Sequence, residues 1–131
     1  MIRASYLTRL MSGMAGPFEL DAYGTQEALY GAGMLPGVYV IGRKGISGID
    51  LLYVGRSDTG LWNRLGDHIY GSGDAPELRR ASAKVYWYQA FPIAPYAYEF
   101  ESALYHTGAF PLNRVHPAKP DKFTRCSSCL A

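Results

Sequence analysis

Residues 37–69 read GVYVIGRKGISGIDLLYVGRSDTGLWNRLGDHI, and three features inside this stretch decide the architecture. Val38-Tyr39-Val40-Ile41 is a β-branched and aromatic run of the kind that fits a pleated, half-buried surface, so it reads as a strand. Gly42 to Gly48 is polar and flexible, with Arg43-Lys44 among its glycines, and reads as a turn. Ile49–Val54 (IDLLYV) then forms the second strand of a hairpin, which puts Tyr39 and Tyr53 on paired strands. Beyond it, Asp58 and Thr59 offer side-chain oxygens as an N-cap for a helix through Leu61, Trp62, Leu65, His68 and Ile69. Gly66 sits inside that helix, and Gly71 to Asp74 closes it.

Working outward, residues 83–91 (AKVYWYQAF) alternate aromatic and polar character and read as a third strand, after which Pro92 and Pro95 force a turn. A second clear helix runs from about Tyr96 to Thr107, stopped by Gly108. Upstream, Ile2, Tyr6, Leu7, Leu10, Met11 and Met14 are spaced for a short amphipathic helix ended by Gly13 and Gly16. The expected architecture is α+β, a small antiparallel three-stranded sheet flanked by helices. At 131 residues the chain makes one domain, with an N-terminal extension (1–36), a core (37–113) and a tail (114–131).

Apolar residues at 48% and charged residues at 18% describe a folded chain rather than a disordered one. The net charge of +2 is unevenly distributed: residues 1–35 sum to −1, residues 36–113 to zero, and the last eighteen residues to +3. The basic end, with Arg114, Lys119, Lys122 and Arg125 against Asp121, suits either a solvated tail or phosphate contacts. No apolar run approaches the ~20 residues of a membrane span, no signal peptide is evident, and the two cysteines do not make a disulfide scaffold. These features lead to the expectation of a cytoplasmic protein with no membrane partner; oligomeric state stays open.

Taken together, Gly37-Val38-Tyr39, Tyr53-Val54-Gly55, Arg64, His68, Glu101, Leu104-Tyr105, Pro111 and Asn113 form an ordered constellation. It resembles the GIY-YIG endonuclease family, whose name describes the two tripeptides seen here as GVY and YVG. The family's catalytic arginine lies about ten positions after the second tyrosine; here Arg64 lies eleven after Tyr53, the extra residue falling in the loop 56–60. Its helix with a glutamate, an apolar pair, a proline and an asparagine matches Glu101 better than Glu99, because Glu101 lies twelve residues before Asn113.

The resemblance implies a metal-dependent nuclease acting on nucleic acid, with DNA foremost. Glu101 would ligate Mg²⁺ or Mn²⁺, and Arg64 would neutralise charge growing on the phosphoryl oxygens. Tyr39 would be the general base. An ordinary tyrosine pKa of about 10 makes that difficult, so the metal and Arg64 are expected to favour the phenolate and His68, one turn beyond Arg64, to relay its proton. Tyr53 would position phosphate or water. Gly55, Arg56, Lys44 and Asn113 are candidate substrate contacts, with a structural tie the preferred role for Asn113. Tyr86-Trp87-Tyr88, with Tyr96 and Tyr98, could stack unpaired bases. Single-stranded DNA, duplex DNA and RNA all stay open as substrates.

The tail holds an H-x9-C-x2-C pattern, His116, Cys126 and Cys129, whose C-x2-C pair provides half of a tetrahedral zinc site and reads otherwise as two ordinary thiols. Completing it requires His116 together with His106 or a group from a second chain. Two other readings of the whole chain stand beside the nuclease: a binding module of the same fold without catalysis, and an interaction domain using an exposed tyrosine-rich strand.

Overall fold

The strand expected at Val38–Ile41 extends in both directions, as β2 (Gly37–Gly45), and it is an interior strand. Val38, Tyr39, Val40 and Ile41 are all fully buried, because each face of the sheet at this point is covered. Hairpin partner β3 (Gly48–Ser57) lies on one side, in a register that sets Tyr39 opposite Gly55. On the other side lies β4 (Lys84–Ala90), again antiparallel, with Tyr39 opposite Tyr88. The computed structural model describes residues 2–21, 25, 28, 29, 31–71 and 76–129; the expected helix-closing residues 72–74 lie outside these.

The sheet has four strands rather than three. β1 (Ala15–Glu19) pairs with the outer side of β4, giving the order β1-β4-β2-β3. Its sequence, AGPFE, hides it: Gly16 and Pro17 argue against a strand, yet proline is tolerated at an edge and where pairing is irregular. Both conditions hold, since β1 is an edge strand and its register shifts between Ala15 and Phe18.

Helices cover both faces. Val38, Val40 and Val54 pack with Ala97 and Leu104 of α4 (Ala94–Tyr105), joined by Leu7, Leu10 and Met11 of α1 (Ile2–Met11). On the opposite face Tyr39, Ile41 and Tyr86 pack against Leu61 and Leu65 of α2 (Leu61–Tyr70) and Leu78 of the short α3 (Pro76–Arg80), an element not expected from the sequence. Odd and even positions of one strand thus feed two separate cores, as the two-residue side-chain period of a strand requires. Each fully buried Val, Leu or Ile side chain contributes roughly 1.5–3 kcal/mol.

Several local expectations need correction. Neither Asp58 nor Thr59 caps α2; the N-cap is Gly60, without a side-chain cap bond. Ser57 organises the turn instead, its Oγ accepting the Gly60 N–H at 3.0 Å and donating to the Gly60 carbonyl at 2.6 Å. Gly71 does close α2, in the left-handed conformation that favours glycine (φ 75°). α4 begins two residues earlier than expected because Pro95 lies within its first turn, where a missing N–H costs nothing, rather than in the preceding loop.

Candidate active site

The β2–β3 register explains why Gly55 is a glycine. A methyl group built there would overlap the Tyr39 hydroxyl and ring, so the absent side chain is the space through which Tyr39 crosses its partner strand. The Tyr39 hydroxyl then meets His68 Nε2 of α2 at 2.7 Å, in a fully protein-enclosed setting. Tyr53 packs against both rings, with centroids 6.3 Å from Tyr39 and 5.5 Å from His68. Arg64, one helical turn before His68, projects its half-exposed guanidinium toward the Tyr39 oxygen and also pairs with Asp67 at 3.5 Å.

Burial pushes the Tyr39 hydroxyl far above the usual tyrosine range; Tyr53 adds to the rise, and the Arg64 charge only partly offsets it. Arg64 acts in the expected direction, favouring the phenolate, but in the protein alone desolvation and Tyr53 outweigh the guanidinium. Tyr39 rests as a phenol. With His68 in the tautomer that leaves Nε2 as acceptor, the phenol donates its proton into a short hydrogen bond.

Glu101 comes from the middle of α4 and is 7% exposed. Its Oε1 accepts from Arg56 Nη1 at 2.8 Å, while the remaining face of the same guanidinium grips Asp58, Nε to Oδ1 at 2.6 Å and Nη2 to Oδ2 at 3.2 Å. Burial raises the Glu101 pKa to about 7 in spite of the Arg56 charge. Glu101 and Tyr53 line one cleft of about 480 Å³, walled by Leu112, Asn113, Arg114, Val115 and His116. The five residues expected to carry chemistry are thus assembled from two strands and two helices.

Placement of the expected substrate contacts differs. Gly55 makes room for Tyr39, and Arg56 is committed to Glu101 and Asp58. Lys44 lies near the hairpin tip beside Glu19 at 3.4 Å, five positions along the strand from Tyr39 and so roughly 17 Å away. Asn113 spends its carboxamide on the open edge of β3: Oδ1 accepts the Val54 N–H and Nδ2 donates to the Val54 carbonyl, both at 2.8 Å. Tyr86 and Tyr98 are fully buried, Trp87 packs against the core and Tyr88 donates to the Ala28 carbonyl, so of the aromatic residues expected to stack bases Tyr96 is the exposed one. Since β4 is paired on both sides, it is not an exposed docking strand either. Arg56 as the partner of Glu101 escaped the sequence reading, because a pairing across 45 residues leaves no local spacing signal.

In the tail, His106, His116, Cys126 and Cys129 bring one ligand atom each to within 4.8 Å of one another, a group able to hold a metal ion. His106 is the histidine that joins, from the C-cap of α4. Burial raises the Cys126 thiol, but hydrogen bonds from the Cys129 backbone, His116, the Ser128 backbone and the Cys129 side chain outweigh it and lower its pKa to about 6. Among the described residues no helix is long and apolar enough to cross a membrane. No family model, curated protein or solved structure matches the chain, so its function is read from this geometry.

Proposed function

We propose that the protein is a magnesium-dependent endonuclease of the GIY-YIG type that hydrolyses phosphodiester bonds in DNA. The observation that carries the reading is the 2.7 Å Tyr39–His68 hydrogen bond, with Arg64 beside it and Glu101 in the adjoining cleft. Glu101 fits as the holder of a divalent ion: it is a single carboxylate lining a cleft, with lone pairs beyond the one given to Arg56. When bound, Mg²⁺ supplies positive charge to the phosphate and the departing oxygen.

The protein's own groups account for the remainder. Tyr39 has no exposed surface at rest, so the attacking water must reach its oxygen from the adjoining cleft past Tyr53; Tyr39 then passes its proton to His68 Nε2 as it takes one from that water, and a phenolate need not exist at rest. The water oxygen forms the new bond to phosphorus, the bond to the departing sugar oxygen breaks, and that oxygen is protonated from solvent. Arg64, already half exposed, neutralises the phosphoryl oxygens with its planar fork. Exposed Lys119, Lys122 and Arg125 supply cationic charge for a polyanion near the tail. The His106, His116, Cys126 and Cys129 group is read as a zinc site rather than a second magnesium site, because two sulfurs and two imidazoles suit the softer ion.

A binding module without cleavage is the second reading, favoured by the Arg56–Glu101 pair, which already neutralises the carboxylate that magnesium would need. Incubation with Mg²⁺ and single-stranded DNA, duplex DNA and RNA, beside Glu101→Ala, separates the two. A nuclease loses cleavage and keeps binding in the variant; metal-independent binding with no cleavage by the unaltered protein supports the module. Failure to bind any of the three at low salt ends both readings.

A further inference from the structure

After α4 the chain runs from His106 to Cys129 without another helix or strand, and large apolar side chains such as Val115 and Phe123 lie exposed at 77% and 80%. Packing alone is a weak anchor for such a stretch. Its early part is tied to β3, through the Leu112 N–H to the Leu52 carbonyl at 3.0 Å and through Asn113 to Val54. Beyond that, the Arg114–Glu77 pair is exposed and the turn at Asp121 binds only its own neighbours. What draws the far end back is the His106, His116, Cys126 and Cys129 group.

The geometry of that group is hard to account for with hydrogen bonds. His116 Nδ1 lies 2.9 Å from the Pro117 carbonyl, which can only accept, so in the neutral ring Nδ1 holds the proton and Nε2 has one lone pair. His106 Nε2 at 3.2 Å and Cys129 Sγ at 3.3 Å both converge on that single lone pair. Tetrahedral zinc bonds of about 2.0–2.1 Å to nitrogen and 2.3 Å to sulfur put neighbouring ligand atoms about 3.3–3.8 Å apart, close to these separations. A carbonyl holding the distal ring N–H is also the usual way a metal-bound imidazole is oriented.

We infer that a zinc ion in this group is the clasp of the catalytic cleft, fixing segment 112–118 as its wall. His106 belongs to the end of the helix that carries Glu101, His116 belongs to the wall, and the cysteines close the loop. An ion bound to all four joins helix, wall and tail, and its binding energy becomes ordering energy for a segment with little core of its own. Loss of the ion frees the wall while the sheet keeps its fold. The consequence for cleavage, though not the clasp itself, rests on the nuclease reading.

The test uses the full chain, purified without chelator, with metal analysis and amide hydrogen exchange before and after chelation and after Zn²⁺ is restored. Cys129→Ala provides the genetic counterpart, chosen because Cys129 is exposed whereas Cys126 is in the core. The expected result is about one zinc per chain, exchange at Leu112 at least ~10-fold faster once zinc is lost, unchanged protection at Val40, and recovery on re-addition. Co²⁺ in place of zinc should give the intense visible absorption of a tetrahedral sulfur-containing site. Zinc well below one per chain after supply, or Leu112 exchange indifferent to its loss, overturns the clasp. A zinc-loaded chain that never cleaves defeats the nuclease reading and leaves the clasp to the exchange data; equal cleavage with and without zinc defeats the cleft's dependence on the clasp and leaves the nuclease reading standing.

Discussion

The Tyr39 cluster and the tail group are both small convergences of polar side chains, but they are held in opposite ways. Tyr39, Tyr53, Arg64 and His68 project from β2, β3 and α2, elements whose positions are set by sheet register and by two buried cores. His116, Cys126 and Cys129 project from irregular chain, and only His106 is seated at a helix end. The first site is preorganised by packing, so its geometry survives the loss of any one polar contact. The second has little apolar burial behind it and depends on what its four side chains bind. On the proposed function, the catalytic groups would sit on the rigid elements and the metal-dependent group on the loose ones.

Breaking the first region should therefore remove chemistry before it removes structure. Arg64→Ala is expected to lower cleavage by ~100- to 1,000-fold, the usual cost of losing one transition-state charge donor, with the unfolding midpoint in urea nearly unchanged. Its ion pair with Asp67, at 3.5 Å, is long and half exposed and adds little stability. A midpoint shift as large as that of a core truncation would show that Arg64 is structural. Tyr39→Phe should reduce cleavage by about 100-fold or more, and it should also cost about 1–3 kcal/mol in urea titrations, because the buried His68 Nε2 loses its 2.7 Å partner. Retention of full cleavage in this variant would disprove the relay.

Between the two regions sits Glu101, and pH sharpens its role. Its folded pKa is raised from 4.5 to about 7, so the folded protein binds more protons than the unfolded chain between these values. The contribution is present in full below about pH 4.5 and is lost as pH rises toward 7, which amounts to roughly 3 kcal/mol across that window at 1.36 kcal/mol per pKa unit. Metal-free Glu101→Gln should flatten this part of the stability curve, measured by urea unfolding from pH 4 to 8. An identical slope in the variant would assign the titration to another group. Gly55→Ala acts on the Tyr39–His68 contact indirectly, with about 1–3 kcal/mol lost from overpacking against the Tyr39 ring and that contact displaced. Unaltered stability and activity there would show that the ring can move aside at no cost.

Much of the central hairpin and the order of its functional residues was legible in the chain. Val38–Ile41, the paired Tyr39 and Tyr53, and the helix bearing Arg64 and His68 follow from local propensity and periodicity, which act between near neighbours. β1 was not legible, since Gly16 and Pro17 mask it and its pairing with β4 is settled some 70 residues downstream. Asp58, read as a helix cap, instead anchors Arg56, because the first N–H groups of α2 are already taken by the Leu35 and Gly33 carbonyls, an arrangement no local spacing announces. The aromatic run 86–88 looked like a stacking surface because sequence alone does not reveal that β4 is paired on both sides.

By itself the sequence determined which side chains were available and in what order: the tyrosines on two adjoining strands, Arg64 and His68 one helical turn apart, Glu101 on a later helix, and a C-x2-C pair at the end. Only the tertiary structure decided their partners. It placed the Tyr39 ring over Gly55 and against His68, turned Arg56 into the counter-charge of Glu101, and selected His106 to join the tail group. The physical reason is range: propensity and spacing act over a few residues, whereas burial, register and charge pairing are settled between segments that meet only when the cores close.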